Sequence, residues 1–218
     1  MSQTQRQPAV QGGFGYESPD LLSGLLPESA VRAYGSVWAS NVSLPPTGAV
    51  AELDLAAGLR GTALDKKMMF DVGYLRVLYP GAAASFNLDY SAWQAELRYD
   101  FGFAQVLGML HYSPDYYADS GPAWDKWGSL TVPLPFLHPG DASFALYGAV
   151  GNLYVERNLN FGIPGHNYVN WELGGTLTFR GFTVSLAYVS TNLSIADCGN
   201  TTNCAGRIVL TIGKAFGS

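Results

Sequence analysis

Side chains along most of this chain alternate in kind, one residue to the next. In YSAWQAELRYDFG, Trp93, Ala95, Leu97, Tyr99 and Phe101 fall on one side, and Ala92, Gln94, Glu96, Arg98 and Asp100 on the other. In NYVNWELGGTLTF, Val169, Trp171, Leu173, Leu177 and Phe179 oppose Tyr168, Asn170, Glu172, Thr176 and Thr178. In FTVSLAYVS, Phe182, Val184, Leu186 and Tyr188 oppose Thr183, Ser185 and Ala187. A period of two belongs to the extended strand, whose successive side chains point to opposite faces. Helical spacing is scarce. The chain therefore reads as all-β, built from strands with one apolar face and one polar or small face.

Strands are expected at about 8–16, 30–40, 48–60, 67–79, 90–101, 103–112, 123–134, 142–154, 167–179, 181–191 and 206–216, in a single domain spanning 1–218. In LTVPLPF, Pro133 and Pro135 cannot donate ladder hydrogen bonds, so that strand ends early or is distorted. AVRAYGSVWAS is apolar on both sides, which leaves its inner face open.

The connections alternate in length. Asp100-Phe101-Gly102 and Arg180-Gly181 are tight turns and 137–141 is short, whereas SPDYYADSGP, ERNLNFGIPGH and SIADCGNTTNCAG are long and polar. Outer-membrane barrels have this asymmetry, with short periplasmic turns and longer external loops. Counting back from a periplasmic C-terminus, the scheme holds through SLPPTG; SPDLLSGLLPES is long for an inner turn. A bacterial barrel needs an even strand number with both ends inside. The count then asks for a secretion signal and an ascending strand ahead of Ser2. The expected fold is an antiparallel up-and-down transmembrane β-barrel of about twelve strands in the bacterial outer membrane.

Composition agrees. Charged residues are 13% of the 218, about half the usual share for a soluble domain, while Gly 26, Tyr 13, Phe 11 and Trp 5 are high. A net charge of −5 offers no basic stripe to phosphates, so nucleic acid is not an expected partner. No apolar run reaches the ~18 residues of a membrane helix. The start, Met1-Ser2-Gln3-Thr4-Gln5, is polar and carries no signal peptide.

With apolar faces toward lipid, the polar faces line a lumen. Its expected lining is Glu52, Asp54, Asp71, Gln94, Glu96, Arg98, Asp100, Asn170 and Glu172. Charges taken from water are costly unless paired or wet. Two arrangements satisfy this: a hydrogen-bonded plug around Arg98, or a watered lumen that favours cations. Twelve strands enclose more than the eight whose side chains fill a barrel, and less than a sixteen-stranded porin.

Cys198 and Cys204, six positions apart in a polar loop, are the only cysteines. Two thiols without a neighbouring histidine make a poor zinc set, so a disulfide in an oxidising compartment is expected, and no metal. Beyond them Ile208, Leu210 and Ile212 alternate with Val209, Thr211 and Gly213, and the run reaches Phe216. Such an aromatic last strand resembles the signal read by the barrel-assembly machinery, although Lys214 departs from it. Tyr16, Trp38, Tyr79, Trp93, Tyr112, Trp124, Trp127, Tyr154 and Trp171 lie near strand ends, as an interfacial belt would. His111, His138 and His166 accompany no GxSxG or HExxH. No enzyme and no cofactor are expected.

SQTQRQPAVQGGFGY, VWASNV and AELDLAAGLRG are similar to the opening of the TorF family of proteobacterial outer-membrane porins, and the cysteine loop with GRIVLTIGKAF is similar to its ending. The resemblance runs along the whole chain and is strongest in 2–61 and 198–216. It implies an outer-membrane location, a transport role, and a strand and signal peptide ahead of the SQT segment. It implies no substrate and no site residues. SPDLLSGLLPES and the trailing Gly217-Ser218 depart from the pattern. The expected function is passive diffusion of a small polar solute through a charged lumen. The alternatives are a lipocalin-like soluble or periplasmic barrel, with the apolar faces inward around an apolar ligand, and a plugged barrel without transport.

Overall fold

A computed structural model describes residues 8–23, 29–137 and 140–216. Its eleven strands form one antiparallel sheet in strict chain order, each hydrogen-bonded to the next. They are β1 Gln11–Glu17, β2 Ala30–Leu44, β3 Ala49–Ala63, β4 Met68–Leu78, β5 Tyr90–Asp100 and β6 Gln105–Tyr116. The rest are β7 Gly121–Pro133, β8 Ala142–Val155, β9 Asn167–Phe179, β10 Phe182–Thr191 and β11 Arg207–Lys214. Each expected strand forms, and β7 ends at Pro133, as its prolines require. His138, Gly217-Ser218, residues 1–7 and part of SPDLLSGLLPES lie outside the described residues.

The tight end behaves as expected. Arg180 and Gly181 both have positive φ, 48° and 78°, the type I′ geometry that joins strands with the sheet's own twist. One long link differs. SPDYYADSGP is mostly strand, because β6 runs on to Tyr116 and β7 starts at Gly121. Pro114 offers no ladder donor, and the register shifts between Ser113 and Tyr116 to absorb it. Asp115 Oδ1 then accepts from the Gly121 amide at 3.1 Å, closing a short turn. The β8–β9 link carries a single helical turn, α1 Asn158–Phe161, and the β10–β11 link two 3-10 turns around the cysteines. The terminal strand stops at Lys214, and Phe216 lies beyond the ladder.

Register decides the faces. Opposite Tyr34 stand Gly58, then Gly73, then Gln94, then His111, then Asp125. These share one face with every residue an even number of steps along each strand, up to the register shifts after Asn41 on β2 and after Ser113 on β6. AVRAYGSVWAS thereby acquires its inside: Tyr34, Ser36, Trp38 and Ser40. The sheet curls strongly toward this face. Three strand spacings separate β2 from β5, about 14 Å if flat, yet Gln94 Nε2 donates to the Tyr34 hydroxyl at 2.7 Å. Farther round, the Tyr147 hydroxyl of β8 meets Ser185 Oγ of β10 at 3.1 Å.

Exposed apolar side chains crowd the convex face: Leu55, Leu59, Val72, Leu97, Leu110, Leu130, Leu146, Val150, Leu173, Leu186, Ile208, Leu210 and Ile212. Most of the buried apolar residues form two clusters near the end that bears the longer links. One joins Val42, Ala49, Val77, Tyr79 and Leu88; the other joins Ala123, Leu153, Val155, Ile163 and Tyr168. The edge strands β1 and β11 both descend from that end. They are parallel to each other, no ladder joins them among the described residues, and both are exposed along nearly their whole length.

Candidate functional site

All nine polar residues expected in a lumen lie on the concave face. They do not form one site but fall into layers, set by how far along each strand they stand.

The layer nearer the short turns is an ion-pair network. Arg60 on β3 reaches Glu17 Oε1 on β1 at 3.1 Å and Asp71 Oδ2 on β4 at 3.1 Å. Its guanidinium lies 3.8 Å from the centre of the Tyr34 ring. The Tyr34 hydroxyl donates to Asp71 Oδ1 at 2.8 Å, and Gln94 donates to both, at 2.7 Å and 3.3 Å. Arg32 adds a longer contact to Glu17, 3.5 Å. Beside this network Arg98 pairs with Glu96 at 3.1 Å. Asp100 has a different task. It accepts from the Gly102 amide at 2.6 Å and from Gln105 at 3.2 Å, fastening the β5–β6 turn.

Two glycines permit the network. Gly58 and Gly73 separate Tyr34 from Gln94 in the register row, and the Tyr34 ring lies across them. A Cβ on Gly73 would stand 2.6 Å from the Tyr34 hydroxyl, and one on Gly58 3.0 Å from the ring.

The layer nearer the long links is different in kind. Glu52 and Asp54 stand side by side on β3, and no lysine or arginine pairs with them among the described residues. Glu52 is only 9% exposed. Glu52 Oε2 and Asp54 Oδ1 are buried without a hydrogen-bond partner. Tyr79 is a side-chain hydrogen-bond partner of Glu52, and Tyr90 and Tyr117 interact electrostatically with the same end of β3. Tyr90 packs on Tyr116 at 4.5 Å between ring centres, and Tyr79 on Tyr117 at 5.6 Å. Phe161, from the β8–β9 link, touches the rings of Tyr116, Tyr117 and Tyr168 and narrows this end of the concave space. His111 and Asp125 face each other across β6 and β7 beneath Tyr116.

Asn170 and Glu172 lie on the far wall, on β9, away from both layers. Asn170 shares a register row with Gly151 and Trp127, and Glu172 stands between Ala149 and Val189. Cys198 and Cys204 form a disulfide with Cα atoms 6.2 Å apart. Among the described residues no three His, Cys, Asp or Glu converge on a point that could hold a metal ion.

The convex face carries the aromatic belt in a form alternation alone does not show. Tyr74, Trp93, Tyr112, Trp124 and Tyr154 stand opposite one another on five consecutive strands, a single register row. Tyr74 meets Trp93 edge-on at 5.1 Å, and Tyr112 meets Trp124 at 4.4 Å. Trp38 and Trp127 do not belong to it, because both point to the concave side. Tyr79 is buried among the capping phenols. A second aromatic group, Tyr99, Phe101 and Phe103, sits at the opposite end.

No curated protein aligns with the chain. Among solved structures the fold is similar to LpxR from Salmonella typhimurium, at 10% identity over 84% of this chain and 83% of that one, with a TM-score of 0.42. It is also similar to a porin, at 16% identity over 78% of this chain and 58% of that one, with a TM-score of 0.38. A family model covers residues 1–216, and by that match the chain belongs to Gcw_chp, a family of bacterial proteins of unknown function.

Proposed function

We propose that this chain forms the wall of an outer-membrane β-barrel that conducts a small polar solute passively, with a preference for cations. One observation carries the reading: large exposed apolar side chains gather on the convex face, and most strand carboxylates, with Arg60, Arg98 and Gln94, on the concave one, while Arg76, Lys126 and Asn152 stand on the convex face toward the long links. Water would reject so extensive an apolar exterior, whereas lipid accepts it. The rings from Tyr74 to Tyr154 lie on the convex side toward the long links, and rings with a polar atom are favoured near a membrane interface. A lipocalin-like barrel would need Phe182, Leu186, Ile208 and Leu210 inside, and the register puts them outside. The similarity of 2–61 and 198–216 to TorF porins points the same way. The seam between β1 and β11 fits one ascending strand, antiparallel to both, and the strand expected ahead of Ser2 has that direction. It would make the strand number even and remove both edges.

A second reading has its own observation. The rings of Phe161, Tyr116 and Tyr117 meet over one end of the lumen, as a plug would. Conductance in a planar bilayer separates the two, using full-length protein purified from membranes and shown folded by its heat-modifiable migration. Discrete, salt-dependent steps support the channel; silence from folded protein assigns the charges to a plug. In a conducting protein, Glu96→Gln with Glu172→Gln should shift the reversal potential away from cations. An unchanged potential would remove these residues from the pore.

A further inference from the structure

We infer that a groove on the convex face, between β5 and β8, holds an acyl chain of an acidic phospholipid, with Lys126 taking its phosphate. The inference rests on the convex face being the lipid-facing wall and does not depend on conduction.

Two missing side chains make the groove. Gly108 on β6 and Gly128 on β7 are register partners, and their row runs from Leu97 on β5 to Val150 on β8. Both belong to the convex side. A Cβ on Gly108 would meet nothing within 4 Å, and one on Gly128 only the Leu107 carbonyl oxygen at 3.9 Å. Leu97 and Val150 form the walls, and Ala95 and Leu110 continue the lining toward the long links. The hollow measures about 530 Å³. From wall to wall it spans three strand spacings, about 14 Å between backbones, which leaves room for a hydrocarbon chain. A chain lying in it touches floor and walls together, and so gains more dispersion contact than it would on a bulging surface.

A cation closes one end. Lys126 lines the groove one row nearer the long links, opposite Leu110 on one side and Asn152 on the other. It is exposed, and no ion pair reaches it among the described residues. Asn152 gives one amide hydrogen to the Tyr168 carbonyl oxygen at 3.2 Å and keeps the other. Trp124 and Tyr154, of the aromatic row, stand two residues farther out along the same strands. That is about 7 Å, a distance a lysine stem covers, so the ammonium rises to the level of those rings.

Charge chooses the occupant. Up to the register shifts, every strand carboxylate among the described residues lies on the concave face. A second copy laid wall to wall would therefore bring no strand acid to Lys126. A lipid phosphate does, and it arrives tethered to the chain that fills the groove. An acidic headgroup suits the site better than a zwitterionic one, whose own cation competes with the lysine.

The test is native mass spectrometry of the full-length protein, purified from membranes in detergent. It is titrated with dioleoylphosphatidylglycerol and, separately, with dioleoylphosphatidylcholine. Saturable retention of phosphatidylglycerol is expected, about fivefold tighter than that of phosphatidylcholine, the worth of one lysine near an anionic surface. Lys126→Gln should erase the difference. Gly108→Leu should abolish saturable retention of both lipids. Its side chain enters open space, so the fold, read by heat-modifiable migration, should persist. Arg76→Gln removes a convex cation already paired with Asp89 and should change neither lipid. Equal binding of the two lipids, a preference that survives Lys126→Gln, or retention that survives Gly108→Leu would each overturn the site. Dimers that retain no lipid and are lost in Gly108→Leu would give the groove to a second copy instead. Protein that stays in aqueous supernatant without detergent would sink the membrane reading and the site with it. Protein that needs detergent yet shows no preference would sink the site alone.

Discussion

The hydroxyl of Tyr34 on β2 accepts a 2.7 Å hydrogen bond from Gln94 on β5, three strands away, because its ring lies flat across Gly58 and Gly73. The curl of the wall and the absence of two side chains are one structural fact. Gly73→Ala puts a methyl group 2.6 Å from that hydroxyl and 2.8 Å from the Ala57 carbonyl oxygen. The ring must lift, and the bonds to Asp71 and Gln94 stretch or break. Overpacking of this kind costs about 1–3 kcal/mol, to be read from the urea midpoint of folded protein in lipid. An unchanged midpoint would mean the ring is not pinned.

Arg60 is the hub of the same layer. It holds Glu17 and Asp71 with separate nitrogens and stacks on Tyr34. Arg60→Met leaves both carboxylates without that partner. The pairs are partly wet, so the loss should be about 1–2 kcal/mol, below the 3–5 of a fully buried pair. Arg60→Lys should recover little of it, since an ammonium cannot fork between two acids and stack at once. Full recovery by lysine would show that charge alone matters there.

How much of this was legible depends on whether the signal is local. The alternation in YSAWQAELRYDFG and NYVNWELGGTLTF put Gln94, Glu96, Arg98, Asn170 and Glu172 on the polar side of their strands, and the register brings those sides onto one face of the sheet. Arg60 keeps the phase of Glu52 and Asp54, but it stands at the expected end of its strand, which the structure carries on to Ala63. Tyr34 was beyond reach, because AVRAYGSVWAS is apolar on both sides and only the ladder to β3 decides its inside. The link SPDYYADSGP reads as a loop from Pro114 and its acids, yet a register shift lets the strands pass through. Asp125 and His111 sit among Trp124, Lys126 and Tyr112, where polarity does not alternate. The belt from Tyr74 to Tyr154 is non-local: it requires the relative offset of five strands, which no single strand encodes.

The two faces should respond oppositely to charge. Leu97 is 52% exposed on the convex side, midway between Trp93 and Phe101 along β5. Eight residues separate those rings, about 27 Å of strand and roughly 20 Å of depth at the usual tilt. Leu97→Arg should therefore cost about 2–4 kcal/mol in a bilayer. Met109 stands opposite Glu96 on the concave side, so Met109→Arg finds an acid and should be near neutral. A soluble barrel with an apolar interior would show the reverse order.

The inner link should resist acid until pH falls below the ordinary aspartate range. Asp20 Oδ1 accepts from the amides of Val31 at 2.9 Å and Leu22 at 3.0 Å. Val31 above all, then Leu22, holds this carboxyl below its ordinary value. The folded value is depressed, so its contribution is present above the ordinary aspartate range and fades as pH falls through the folded value. A carbon-detected titration should place the Asp20 inflection below that of a free aspartate and shrink the depression in Val31→Pro, which lacks the first donor and keeps that of Leu22. An inflection at the ordinary value would show that the link is not held.

The disulfide should matter to the loop more than to the wall. The β10–β11 ladder already ends at Val189 and Arg207, before the loop begins. Closing seven residues constrains the unfolded chain by about 2–3 kcal/mol on the loop-entropy account, and Cys198→Ser with Cys204→Ser should lower the urea midpoint accordingly. The sheet itself gains no contact from the bridge, so the variant should keep heat-modifiable migration and any conductance. Protease added to intact cells should cut between 192 and 206 in the variant and spare the parent. Cleavage there would also place the loop outside the membrane, since a periplasmic loop is shielded from added protease. Protection of both proteins would reverse the assigned sidedness.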